Sequence, residues 1–436
     1  MDGIFSTTLG NGLRVVLDNI PARRMVAAGL WFPFGSRFEN PQQAGYAHFI
    51  EHMLFKGTQN RTYSDISRAI DRLGGTMNAS TSKEITNYYV TLPARHIGVA
   101  LDVLADMYFR STFLPKEFET EKNVILEEIR MTQDDPDELI FDLVYENIHR
   151  GTDLAHSIGG TLPSISESDR DSLYSFYLSS YGPQNAVLSL AGGLYSNESE
   201  KQQLLDSIEK MYNHKGDFTG SASMASLQRP SPVKTGNLLH HAKKLEQVQV
   251  FFSLPGQPYS PEYKPALDLY SNLMGGTMSS RLFRILREER GLAYSVGTLL
   301  THHALEGSFS AYFSTSKDKL EESFTVLAEE MEKSIKESIP KEEIREAMSG
   351  LSGAMEMRME GTYAHASFNA KSLLYFSKSV DWTDAVRRIE LYEPENLQKE
   401  VAELTGDFHP AITSLGSIKE KQMQKLAQGT GILPGR

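Results

Sequence analysis

Residues 48–52 read His-Phe-Ile-Glu-His. Set on a helix, His48, Glu51 and His52 fall at i, i+3 and i+4 and reach the same side. Two imidazole nitrogens placed this way can grip one metal ion, and a carboxylate one turn away can take a proton from water beside it. The order reverses His-Glu-x-x-His, with the glutamate now directly before the second histidine. The alternative makes both histidines hydrogen-bonded packing residues among Phe49, Ile50, Met53 and Leu54. The chain has no cysteine, which excludes thiolate ligation, disulfides and a cysteine nucleophile. Any metal is then held by His, Asp or Glu.

Catalytic zinc commonly has three protein ligands and one open position, so the pair needs a third partner. Candidates lie in an acidic helical stretch containing Glu117, Glu119, Glu121, Glu127 and Glu128. Seven residues apart, Glu121 and Glu128 share a face; Val124 and Ile125 mark the adjacent packed side, and Glu127 points elsewhere. Ser80 and Thr81 offer hydroxyls, but no base arrangement singles either out as a nucleophile. They read as strand and turn residues.

The elements that must position these groups follow from periodicity and punctuation. "NGLRVVLDNI" and residues 24–35 read as strands joined by a turn. A helix is expected over 44–56 and another over 62–75, with Ser64 as its N-cap and a glycine pair at its stop. "TMNASTSKEITNYYVTLP" reads as strand, polar turn and strand. Helices over 94–112 and 115–131 follow, the second opening on Pro115 in the first turn.

An imperfect internal repeat organises the whole. "VLADMYFRSTFLPKEFETEKNVILEEI" from Val103 resembles "VLAEEMEKSIKESIPKEEIREAMSGL" from Val326. The expected fold is therefore α+β, two similar domains, each with an antiparallel or mixed sheet packed against helices. The Gly-, Ser- and Pro-rich stretch 216–235 reads as a linker between an N-terminal domain, 1–215, and a C-terminal one, 236–436. The positions opposite the histidines fall near "NLMGGTMSSRLF", and those opposite Glu128 in "AMSGLSGAM". Neither has a metal-binding set, so one metal site per chain is expected.

With these residues the chain resembles the pitrilysin/insulysin-type inverzincin peptidases, in particular their mitochondrial processing peptidase-like bacterial members. The resemblance rests on "HFIEH" at 48–52, "EKNVILEEI" at 121–129, "GGTMNASTSKEITNYY" at 74–89 and "SSRLFRILREERGLAYSVG" at 279–297. It implies that His48, His52 and Glu128 bind Zn2+, that Glu51 is the general base, and that Glu121 supports a metal-binding histidine from behind. It further implies zinc-dependent endopeptidase activity on extended peptides or unfolded protein segments, bound along a strand edge at Asn78, Ala79 and Thr81. "LREERGLAY" alone reads as ordinary surface and core; the resemblance gives Arg287 and Tyr294 parts in peptide binding and transition-state stabilisation. Since that pair comes from the opposing half of a closed chamber, a two-domain chain implies a homodimer with composite active sites.

Composition narrows the partners. Against 44 basic side chains stand 56 acidic ones, a net charge of −12, which disfavours nucleic acid and anionic membrane surfaces and suits basic peptides. No stretch is apolar for the roughly 18 residues of a membrane span, and a cytoplasmic location is the simple expectation. "MGGTMSS" lacks the ending of a phosphate loop. Two competing functions remain: a noncatalytic peptide-binding or assembly subunit of a processing peptidase-like complex, and zinc hydrolysis of a small nonpeptide substrate.

Overall fold

The computed structural model describes residues 4–214, 216–220, 223–227, 229–406 and 408–433; residues 221, 222 and 228 of the expected linker lie outside them. The chain forms two compact units. Unit 1 comprises Met1–Met131, His156–Gln228 and Arg358–Val380; unit 2 comprises Thr132–Ala155, Arg229–Met357 and Asp381–Arg436. Each unit thus takes a segment from the other end of the sequence.

Unit 1 is built on a six-stranded mixed sheet. Its strands are β1 (Ile4–Thr8), β2 (Arg14–Asn19), β3 (Met25–Phe32), β4 (Thr76–Thr81), β5 (Thr86–Pro93) and β6 (Val187–Gly192), in the order β1-β2-β6-β3-β5-β4. The two strands expected to be joined by a turn are not neighbours: β6 lies between them, parallel to β2 and antiparallel to β3. The near-continuous apolar runs of β3 and β6 explain this. Strands covered on both faces occupy a sheet centre, and every residue of β6 is buried.

One face carries α1 (Tyr46–Leu54), α2 (Tyr63–Asp71) and α3 (Ile97–Arg110), followed in sequence by α4 (Pro115–Asp134). Val15, Leu17, Leu30, Tyr88 and Val90 meet Phe49, Ile50, Ile66 and Leu104 in this core. The other face is covered over β3 and β6 by helix Thr362–Phe376, whose main-chain Ala366 carbonyl accepts the Ser189 hydroxyl at 2.8 Å. Pro115 opens α4 as expected. The α2 cap is Thr62 instead of Ser64, because Thr62 and Asp65 form a reciprocal capping box.

Unit 2 repeats the plan. Strands β7 (Leu238–Ala242), β8 (Gln247–Gly256), β9 (Ser295–His302), β10 (Gly307–Ser316) and β11 (Ala411–Gly416) lie in the order β7-β11-β8-β10-β9, with β7 and β11 parallel. This is the order β2-β6-β3-β5-β4 of unit 1, strand for strand. Helix α5 (Pro136–Ile148) packs on β11, as Thr362–Phe376 packs on β6. The two sheets and their helices form the expected pair of α+β domains.

Candidate metal centre

Helix α1 owes its position to both ends of its approach. Gly45 precedes it with φ of +93°, and a Cβ there would meet the Gly159 carbonyl oxygen at 2.7 Å. Only glycine fits that backbone. Having no side chain to cap the helix, Gly45 leaves the task to buried Glu39, which accepts the Gly45 and Ala47 N–H groups at 2.7 and 2.6 Å. Burial pushes the Glu39 carboxyl up to about 7 against those hydrogen bonds and nearby Lys83. Along α1, Phe49, Ile50, Met53 and Leu54 are buried. The Phe49 ring stacks on Phe118 of α4 at 4.8 Å and 10°.

That stacking brings the polar edges of α1 and α4 together. His48 Nε2 and His52 Nε2 lie 3.3 Å apart, and Glu128 Oε2 is 3.8 and 3.6 Å from them. Around a tetrahedral zinc with bonds of about 2.0–2.1 Å, ligand atoms are about 3.3–3.4 Å apart. The three donors fit that ion. Among the described residues no other His, Cys, Asp and Glu grouping of this kind occurs.

The protonation state of His48 favours the same occupant. Burial, aided by repulsion from His52, pushes the His48 imidazole down to about 4, which keeps it neutral near pH 7. Burial also opposes charge on His52, but the Glu121 hydrogen bond and the Glu128 and Glu51 charges outweigh it and leave its pKa raised. His52 Nδ1 faces Glu121 Oε2 at 3.0 Å, so Nδ1 carries the proton and Nε2 presents its lone pair. Glu121 in turn meets Lys56 Nζ at 2.6 Å. Its burial raises the carboxyl, yet His52 and Lys56 lower it further, and it remains ionised.

Glu51 stands beside the trio without joining it. Thr81 Oγ1, at the end of β4, donates to Glu51 Oε2 at 2.5 Å. Burial raises the Glu51 carboxyl above its ordinary range, with the Thr81 bond and His52 pulling the other way. Asn78 and Ala79 lie on the same strand, where the Ala79 N–H donates to Asn78 Oδ1 at 2.8 Å. Glu127 points away and pairs with Arg130 at 2.5 Å. Val124, expected on the packed side, is exposed, whereas Phe118, Glu121, Ile125 and Ile129 form the buried stripe. Its phase follows Phe49.

Arg287 and Tyr294 belong to unit 2. The Arg287 guanidinium sits over the Phe283 ring at 4.9 Å and the Tyr294 ring at 5.7 Å, and Tyr294 is 73% exposed. The sequence reading missed Lys56, Glu39 and the Thr81–Glu51 bond. Lys56 had a signal, four residues beyond His52 on the same helical side. Glu39 had none, since its capping bonds run through a loop.

Two histidines, a carboxylate partner and a separately held glutamate on helices against a mixed sheet define a metallohydrolase class. Residues 14–162 match the family model "Insulinase (Peptidase family M16)" and residues 168–351 match "Peptidase M16 inactive domain". An uncharacterized zinc protease of Bacillus subtilis, YmxG, is 33% identical over 93% of this chain and 97% of that one. Another, from Streptomyces coelicolor, is 31% identical over 96% and 91%. The fold matches the crystal structure of a protease from Helicobacter pylori with a TM-score of 0.82 at 21% identity, covering 95% of this chain and all of that one. The chain belongs to peptidase family M16, the pitrilysin/insulysin-type zinc metalloproteases.

Proposed function

We propose that the protein is a zinc endopeptidase that cuts extended peptides or unfolded protein segments, with Glu51 as the general base. The observation that carries this is the division of labour at the site. His48, His52 and Glu128 form a closed trio, while Glu51 is held apart from it by Thr81. Zinc held by the trio supplies a Lewis acid that polarises a peptide carbonyl and acidifies water.

The chain's own residues do the rest. Glu51 takes a proton from the attacking water at its carboxylate and returns it to the leaving amine nitrogen; its raised pKa suits both transfers. Glu121 fixes the His52 tautomer. Strand β4 ends the sheet order of unit 1, and its outer edge suits an extended peptide added at Asn78, Ala79 and Thr81. Main-chain pairing there accepts many sequences. Binding a long chain along a strand favours peptides over a small nonpeptide substrate.

Arg287 and Tyr294 complete the proposal. They stand as an exposed cation–aromatic pair, and a second copy of the chain supplies them to the site, Arg287 to anchor a substrate carbonyl and Tyr294 to donate to the developing oxyanion. The particle is then a homodimer of the processing peptidase-like type. Unit 1 supplies the metal half and unit 2 the metal-free half, each with its segment taken from the other end of the sequence.

The test compares zinc-loaded wild type with Glu51→Gln on a mixed peptide library read by mass spectrometry. Losing the base lowers cleavage by about a hundredfold or more, with zinc retained. Undiminished hydrolysis by the pure variant would sink the assignment. A monomer by native mass measurement under active conditions would remove the composite site.

A further inference from the structure

Resting on Glu51 as the base, we propose that buried Arg37, Glu84 and Tyr375 form a positioning device for Glu51, completed by the helix that returns to unit 1 from late in the sequence. Arg37 Nη1 meets Glu84 Oε1 at 2.7 Å, and the two side chains are 0% and 1% exposed. Charges so far from water hold together only when their remaining atoms are also partnered. The second Glu84 oxygen, Oε2, accepts the Tyr375 hydroxyl at 3.0 Å. Tyr375 lies on helix Thr362–Phe376.

What the three residues join is the ground for the inference. Arg37 sits in the tight turn Ser36–Phe38 on the approach to α1, and Glu84 in the turn between β4 and β5. Main-chain bonds stitch the two turns directly: Ser36 N–H to the Ser82 carbonyl at 3.3 Å and Arg37 N–H to the Lys83 carbonyl at 2.8 Å. On one side of the β4–β5 turn stands Thr81, which holds Glu51. On the other stands Thr86, which donates to the Phe34 carbonyl at 2.9 Å. Two residues beyond Arg37, Glu39 caps α1, the helix that carries Glu51.

Both determinants of the Glu51 carboxylate therefore hang on one clamped pair of turns. Those determinants are the helix beneath it and the hydroxyl that orients it. Acid–base geometry must be held to about 0.5 Å, and a hairpin released by that much loses the short Thr81 bond. None of the three residues belongs to the metal trio. They act on Glu51 through Thr81 and the α1 approach.

A double-mutant cycle tests the device. Tyr375→Phe removes one hydroxyl at the clamp, and Thr81→Val removes one at the carboxylate. Each lowers kcat roughly tenfold with KM and zinc content unchanged, the scale of one hydrogen bond to a charged group. The double variant loses no more than either single one, because both break the same chain of contacts. Wild-type kcat in Tyr375→Phe, or losses that multiply to roughly a hundredfold in the double variant, would overturn the device. If Tyr375→Phe fails to fold or loses zinc, Arg37→Met combined with Glu84→Gln, which removes both buried charges together, replaces it in the cycle and is read the same way. Full activity in a Glu51→Gln control would instead strike the base assignment itself, so the two failures are separable.

Discussion

Units 1 and 2 share a sheet order but treat the helical segment after the matching strands β3 and β8 differently. Unit 1 builds α1, nine residues of regular helix. Unit 2 builds a short helix, Ala266–Ser271, which widens into a π-helical turn at Asn272–Gly276, and a second such turn at Phe283–Glu289. A regular helix puts i, i+3 and i+4 on one side, whereas a wider turn carries i+3 away from i and breaks up the set of three. The difference extends to the neighbouring helix. Residue 353, which lies 225 residues beyond Glu128, is glycine, and Arg281 bridges Glu330 and Glu343 at 3.2 and 2.7 Å beside a pocket of about 210 Å3. The scaffold is common property; the chemistry resides in helix regularity and a few side chains.

The sharpest way to break this asymmetry is to count metal. Elemental analysis of wild type is expected to give one zinc per chain, and chelation or His52→Ala is expected to abolish peptide hydrolysis. A second equivalent of zinc retained by His52→Ala would place chemistry in unit 2 and end the comparison. Next in size is Tyr294→Phe, which tests whether unit 2 contributes without metal. Removing an oxyanion donor costs about a hundredfold in kcat with KM held. Unchanged kcat would return Tyr294 to the ordinary surface.

Glu121 and its counterpart 225 residues on, Glu346, sharpen the contrast at smaller scale. Glu121→Gln takes the carboxylate from behind His52 and weakens zinc binding about 10- to 100-fold. Glu346→Gln leaves zinc affinity at the wild-type value, since Glu346 lines the unit 2 pocket instead. Competition with a chromophoric chelator measures both. Equal effects from the two substitutions would mean that Glu121 acts only through net charge.

Much of this site was legible because helical spacing is a local code. His48, Glu51 and His52 are placed together by a single helix, and Glu121 and Glu128 by another, so periodicity narrows the candidates to them, while the choice of Glu128 as ligand came from the family resemblance. The repeat likewise announced two similar folds. Contacts made through loops and sheet order left weaker traces. Nothing near β2 or β3 in sequence announces that β6, some 160 residues later, inserts between them. Thr81 looked like turn chemistry because its acceptor, Glu51, is 30 residues away. The Glu84–Tyr375 contact spans most of the chain, and only the exchanged helix creates it.

Glu39 gives the most local test, since unit 1 depends on a capping carboxylate for which the irregular helix of unit 2 has no use. Its folded pKa of about 7 lies above the ordinary 4.5 because burial penalises the charge more than two N–H groups and Lys83 reward it. The folded state therefore holds a proton between pH 4.5 and 7 that the unfolded chain has released. Stability from this group is present in full below the unfolded pKa and is lost as pH rises through the folded one, by about 3 kcal/mol in all. Glu39→Gln still offers one acceptor to the helix start but no longer titrates. The stability of unit 1, measured by denaturation at pH 5 and pH 8, then falls less steeply with rising pH in the variant than in wild type. Parallel pH profiles would mean that Glu39 stays charged at both pH values, with the helix N-terminus outweighing burial.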